Sequence, residues 1–186
     1  MPSIDINFLK SLEEDYKLYD IFIESGTYKG ETIFCLEPHF NLLYTIEIKK
    51  SDYDNVINKY NGNKINFLLG DSSDIFENLL KSINYNSIFF LDGHWSSGDT
   101  GRGKKDCPLI EEITSINKNF KKEAIIIIDD ARLFGLSPGN GCNEDWSDVN
   151  ANKILNILGS RVKKMYYRDS KYSKNDRLII AIAPLS

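Results

Sequence analysis

The sequence predicts a three-layer α/β fold around a mostly parallel, doubly wound seven-stranded sheet that closes with an antiparallel hairpin. Three observations predict it. Short apolar runs bounded by Gly, Pro, Asn or Asp alternate with longer amphipathic stretches, as in sheets whose crossovers are helices. The most apolar run, Ala124 to Ile128, reads as a strand covered on both faces and a candidate for the sheet centre. The last two strand-like stretches, Val162 to Arg168 and Arg177 to Ala183, flank the polar segment Asp169 to Asp176, which suits a hairpin. No repeat, low-complexity stretch or linker interrupts the chain, so residues 1–186 are read as one domain.

Taken in order, Ile4 to Tyr19 carries Ile6, Leu9, Leu12, Tyr16 and Tyr19 near helical spacing and predicts an amphipathic helix. Asp20 to Ser25 is the first strand. A helix from Gly30 to Glu37 is stopped by Pro38, and His39 beside it reads as structural. Leu42 to Ile48 is the second strand, followed by a helix from Asp52 to Tyr60 that Asn61-Gly62-Asn63 ends. Lys64 to Leu69 is the third, and Ser72 or Ser73 caps the helix running to Ser82. Ser87 to Leu91 is the fourth. Residues 93–106 then lose all periodicity, a length typical of functional lids. Pro108 opens a helix to Asn117, Ala124 to Ile128 is the fifth strand, and Arg132 to Asp148 is a second irregular loop before a helix from Val149 to Leu158.

Composition excludes several classes. A net charge of -4 does not suggest a broad nucleic-acid surface, and the short basic clusters (Lys104-Lys105, Lys121-Lys122, Arg161 to Lys164) read as solvated edges. No apolar run is long enough to cross a bilayer, and Met1 to Lys10 lacks the pattern of a secretory signal. Cys35, Cys107 and Cys142 are odd in number and widely spaced, which predicts reduced thiols in the cytoplasm rather than disulfides or a zinc site.

The chemistry concentrates at strand ends. Glu24-Ser25-Gly26-Thr27-Tyr28-Lys29-Gly30-Glu31-Thr32 reads as a strand tip, a glycine turn and a helix start. Gly26 and Gly30 permit unusual backbone angles and close approach of another molecule. Thr27 and Thr32 are candidate caps or contacts at the helix start. The spacing is Gly-x-x-x-Gly rather than the Gly-x-Gly-x-x-Gly of dinucleotide folds, and the acid Glu24 would repel a pyrophosphate but suit a cationic amino-acid end or a ribose. Further strands end at Glu47, Asp71, Asp92 and Asp129-Asp130. In an open parallel sheet ligands bind at those ends. So many acids there imply a site that needs oxygen acceptors.

With these residues in place, the chain resembles the class I S-adenosylmethionine-dependent methyltransferases over nearly its whole length. The resemblance implies a Rossmann-like methyltransferase fold, and cofactor contacts from Glu24, Gly26, Thr27, Tyr28, Gly30, Thr32, Glu47, Asp71, Ser72 and Asp92. Glu47 would accept both ribose hydroxyls, and Asp71 with Ser72 would meet the adenine. The second half is similar to the metal-dependent O-methyltransferases of sugar hydroxyls, the macrocin and mycinamicin type. That likeness implies a magnesium ion, or a similar divalent cation, held by Asp92, Asp129 and Asp130. It implies a catalytic role for Asp92 and a sugar or glycan acceptor. His94 is proposed as the base on the acceptor hydroxyl, although some sugar methyltransferases place a comparable histidine one residue further on. Trp95 would wall the acceptor pocket. A nicotinamide oxidoreductase and a non-catalytic cofactor-binding protein are the rival classes, and a homodimer is compatible with the sequence.

Overall fold

The computed structural model describes residues 2–185. Seven strands form one sheet: β1 (Ile21–Ser25), β2 (Leu42–Glu47), β3 (Ile65–Leu69), β4 (Ser87–Leu91), β5 (Ala124–Ile128), β6 (Val162–Arg168) and β7 (Arg177–Ile182). Their order is β3-β2-β1-β4-β5-β7-β6. The first five are parallel, and β7 runs antiparallel to both β5 and β6. Thus β4 holds the centre, with β5 beside it. The helices are α1 (Ile6–Lys10), α2 (Glu31–Leu36), α3 (Lys50–Ile57), α4 (Ser72–Ser82), α5 (Leu109–Asn119) and α6 (Ala151–Leu158).

Alternation along the strands divides the core into two layers. Ile21 and Ile23 of β1, Phe89 of β4 and Ile126 of β5 pack under α4, α5 and α6 with Phe76, Ile113 and Ile154. Phe22, Ile88, Phe90, Ile125 and Ile127 pack on the opposite face with Leu9, Ile33 and Leu36. Both faces of the central strands are therefore dry, which is why β5 reads as an unbroken aliphatic run.

Several boundaries differ from the sequence expectation. The first helix is not continuous from Ile4 to Tyr19. Helix α1 ends at Lys10, and only a 3-10 turn, Tyr16–Leu18, follows. The acidic segment between them is drawn to the edge strand instead. The Glu13 N–H donates to the Tyr166 hydroxyl at 3.0 Å, and the Glu13 carboxylate pairs with Lys164 and Arg168 of β6. Those contacts and the caps at Asp5 and Asp15 outweigh the helical period. Helix α4 is capped by Asp71, which accepts the Ser73 N–H at 3.0 Å, and not by Ser72 or Ser73. Pro38 lies inside a 3-10 turn, Glu37–His39, that follows α2.

Phe89 is fully buried, with its ring 5.1 Å from Phe120 in an edge contact and 6.2 Å from Phe76. Phe89→Ala should cost about 3–5 kcal/mol in urea unfolding. A loss below about 1 kcal/mol would contradict this placement of the core.

Candidate functional site

The first turn explains how the site opens. Gly26 adopts φ +88°, and a Cβ built there would lie 2.4 Å from the carbonyl oxygen of Asp92. The glycine thus lets the tips of β1 and β4 touch, in addition to leaving the turn open. The Gly26 and Thr27 N–H groups both donate to the Ile46 carbonyl, which pins the turn to β2. Gly30 adopts φ +77° for a different reason: a Cβ there would meet Phe34 and Val56 side chains at 2.8 Å. It serves the packing of α2 on α3 and lies away from the cleft.

Beneath the turn, the Thr27 and Thr45 hydroxyls lie 2.6 Å apart, and Thr45 donates to Glu24 at 2.7 Å. Glu24 is 2 % exposed. Burial holds its carboxyl well above the usual carboxylate range against the Thr45 bond, and the charges of Asp92 and Glu47 add to the rise. It supports the turn from below and does not offer the surface acid expected for a cationic ligand. Thr32 is also turned away: its hydroxyl accepts the Ser3 N–H at 3.1 Å.

Between the turn and the loop 93–106 lies a cleft of about 440 Å³. Its walls include Gly26, Tyr28, Glu47, Ile48, Asp71 and Ser72, together with Asp92, Gly93 and His94. Glu47 is fixed at both oxygens, accepting the Tyr28 N–H and the Lys49 N–H, each at 2.8 Å. Tyr28 reaches its bond with φ +46°, rare for a residue with a side chain. Asp71 accepts the Ser73 N–H and hydroxyl on one oxygen and the Lys104 N–H, at 3.3 Å, on the other. The Ser72 hydroxyl points back and donates to Glu112 at 2.5 Å.

A charged cluster occupies the other end. His94 Nε2 lies 3.0 Å from Asp130, and Nδ1 lies 3.6 Å from Asp92. Burial opposes charging His94. The Asp130 bond and the charges of Asp92, Asp130 and Glu144 outweigh it, so its pKa lies above the ordinary value. Burial and the neighbouring Asp129 push the Asp92 carboxyl up to about 8, with His94 acting against the rise. Burial works against ionised Asp130 as well, but His94 and Arg132 hold it below the usual range. Asp129, whose charge reaches Asp92, has its own cation. Its carboxylate pairs with Arg177 at 3.1 Å, and Arg177 also donates to the Ser3 carbonyl at 2.5 Å.

Atoms of Asp92, His94 and Asp130 lie within 4.8 Å of one another, a geometry able to hold a metal ion. The expected trio Asp92, Asp129 and Asp130 is not gathered in that way; Asp129 instead forms a second such group with Asp130 and Asp176. Trp95 is half-buried with the Arg102 guanidinium 4.2 Å over its ring, and it does not line the cleft.

The loop 93–106 closes the cleft from above. Cβ atoms at Gly101 and Gly103 would meet Ile48 at 2.3 Å and Asp71 at 2.5 Å, so these glycines permit the approach. Lys49 pairs with Asp99 at 2.8 Å, and Lys104 with Asp74 at 2.7 Å. Arg132, Arg177, Ser3 and Glu112 are the residues sequence reasoning missed. Glu112 alone carried a signal, as an acid on the apolar face formed by Leu109, Ile113 and Ile116.

No family model matches the chain, and no curated protein matches its sequence. Solved structures do match in fold. A protein from Listeria monocytogenes described as an S-adenosylmethionine-dependent methyltransferase is 12% identical over 97% of each chain, with a TM-score of 0.57. An rRNA methylase from Streptococcus thermophilus is 12% identical over 91% of each chain, with a TM-score of 0.56. The fold is the Rossmann-like methyltransferase fold. The N-methyltransferase NodS from Bradyrhizobium japonicum, solved with S-adenosyl-L-homocysteine, is 12% identical over 90% of this chain and 79% of its own, with a TM-score of 0.54. The likeness extends to the fold; at these identities the chemistry rests on the site.

Asp92 generates a stability prediction. An unfolded Asp loses its proton near about pH 4, whereas folded Asp92 keeps it to about pH 8. Between those values the folded state binds the extra proton, so this carboxyl makes stability fall as pH rises. Asp92→Asn should therefore flatten the melting temperature across that range and raise it at the alkaline end. Parallel pH profiles for the two proteins would contradict the assignment.

Proposed function

We propose that the cleft binds S-adenosylmethionine and that the chain transfers its methyl group to a hydroxyl of a sugar or glycan, with His94 as general base. The observation that carries this reading is the convergence on one cleft of Glu47, the Gly26 turn, Asp92 and His94, with Asp130 paired to His94. Bound there, S-adenosylmethionine supplies a methyl group made electrophilic by its sulfonium. Each oxygen of Glu47 already accepts one backbone N–H and keeps a lone pair for one hydroxyl of a ribose diol. The Gly26 turn leaves room for the amino-acid end, and Asp71 and Ile48 stand at the adenine end. Asp130 holds the proton on His94 Nε2, which directs Nδ1 to take the proton of an acceptor hydroxyl. Alignment of donor and acceptor supplies much of the rate.

The reading includes a divalent cation, magnesium or similar. Asp92 and Asp130 would hold it, and it would supply a Lewis acid that lowers the acceptor's pKa. Asp129 stands with Asp130 and Asp176 in a second group of that geometry, with one of its oxygens paired to Arg177. An RNA acceptor, the class in the name of the Streptococcus thermophilus protein, suits the chain less. The net charge is -4 and the cleft mouth is acidic, which repels phosphate.

In a transfer assay with labelled S-adenosylmethionine and a glycan panel, His94→Ala should lower the rate about 10²–10⁴-fold. The rate should rise with pH above the ordinary histidine value as His94 loses its proton. Chelation should stop transfer, and magnesium should restore it. Transfer indifferent to His94→Ala discards the base, and transfer indifferent to chelation discards the cation. In a thermal-shift comparison S-adenosylmethionine should raise the melting point and NAD should not; the reverse result would replace the methyl donor by a nicotinamide.

A further inference from the structure

Behind the cleft floor lies a carboxyl that the proposed chemistry does not use. Glu112 is 1 % exposed, on the buried face of α5. Its Oε1 accepts the Ser72 hydroxyl at 2.5 Å, at the first residue of α4. The Ser25 hydroxyl, at the end of β1, is fully buried and makes no hydrogen bond of good geometry among the described residues, yet it faces the Glu112 carboxyl closely enough to favour its charged form. Gly93 completes the arrangement. A Cβ at that position would stand 3.0 Å from the Ser25 hydroxyl and 3.4 Å from Glu112 Oε1, so the residue after Asp92 must be bare for the carboxyl to reach the floor. One side chain therefore sits where β1, the loop after β4 and the start of α4 meet. All three supply cleft wall, through Gly26, Gly93 and Ser72.

We propose that Glu112 is a positioning residue for the cofactor cleft, bonding Ser72 and facing the Ser25 hydroxyl so that the α4 start and the β1 turn stand at the separation that an adenosyl ligand spans. The role rests on the reading that this cleft binds such a ligand. An aliphatic residue at this place would satisfy α5 packing at less cost, because a buried carboxyl must be compensated. Burial, opposed by the Ser72 hydrogen bond and by the facing Ser25 hydroxyl, sets the carboxyl near 7, with Asp71 and Glu111 adding to the rise. Much of it is therefore neutral near physiological pH, and glutamine is a close mimic of that form.

The test is calorimetric titration of S-adenosylhomocysteine into the whole chain as wild type, Glu112→Gln and Glu112→Ala, with folded fraction followed by circular dichroism at the titration temperature. Glu112→Ala should weaken binding about tenfold or more, the loss of one buried hydrogen bond with its partner left unpaired. Glu112→Gln should restore binding to within about threefold of wild type, since its amide still accepts the Ser72 hydroxyl. Two results would overturn the role: Glu112→Ala binding as the wild type does, or both variants weakening in step with loss of folded fraction, which marks simple core packing. A wild type that binds no S-adenosylhomocysteine at all overturns the cofactor reading, and this role with it.

Discussion

Everything in the site follows from one electrostatic constraint. A parallel sheet delivers its strand ends to one edge, and here those ends carry Glu24, Glu47, Asp71, Asp92, Asp129 and Asp130. Like charges so close cannot all ionise without compensation. The molecule answers differently at each position. Glu47 and Asp71 take backbone N–H donors. Asp129 takes Arg177, and Asp130 takes His94 and Arg132. Glu24 and Asp92 are left with little compensation, and burial pushes both toward the neutral form. Of these two, the acid that faces the cleft is Asp92, whose rise the adjacent His94 offsets only in part. Such a separation of acid and base character in neighbouring groups is the usual mark of a working site.

The supports of that cluster run far from it in sequence. Arg132 bridges Asp130 to Asp176, which is fully buried at the start of the hairpin strand and accepts the Ser170 hydroxyl as well. Arg177, one residue on, holds Asp129 and the Ser3 carbonyl, and its guanidinium stands 4.7 Å over the Phe8 ring. The antiparallel hairpin thus does more than close the sheet: it delivers two of the charges that keep the acid edge intact. The lid is held more lightly. Its Lys104–Asp74 pair has both side chains mostly exposed, and such pairs are worth only about 0–1 kcal/mol.

The sheet was legible in the sequence because its signal is local. Apolar runs such as Ala124 to Ile128 cannot lie anywhere but between two layers, and a polar turn between the last two strands admits little except a hairpin. The strand-end acids were legible for the same reason. What escaped depends on partners distant in the chain. Ile4 to Tyr19 has a helical period, but Glu13 and Glu14 find Lys164, Arg168 and Tyr166 on β6, which no local pattern encodes. Asp129 and Asp130 look equivalent as neighbours, yet Arg177 claims one and His94 the other. Gly30 and Thr32 fit a ligand-binding turn by spacing, but Val56 and Ser3 decide their use.

In the proposed reading a single crevice between the β1 turn and the loop after β4 grips an adenosyl nucleoside, with its sulfur end toward the Asp92 cluster. A crystal structure with S-adenosylhomocysteine tests this most directly. Both ribose hydroxyls should lie within hydrogen-bonding distance of Glu47, with the sulfur nearer His94 than Asp71. Ligand density with the ribose away from Glu47, or on another face of the sheet, would contradict it.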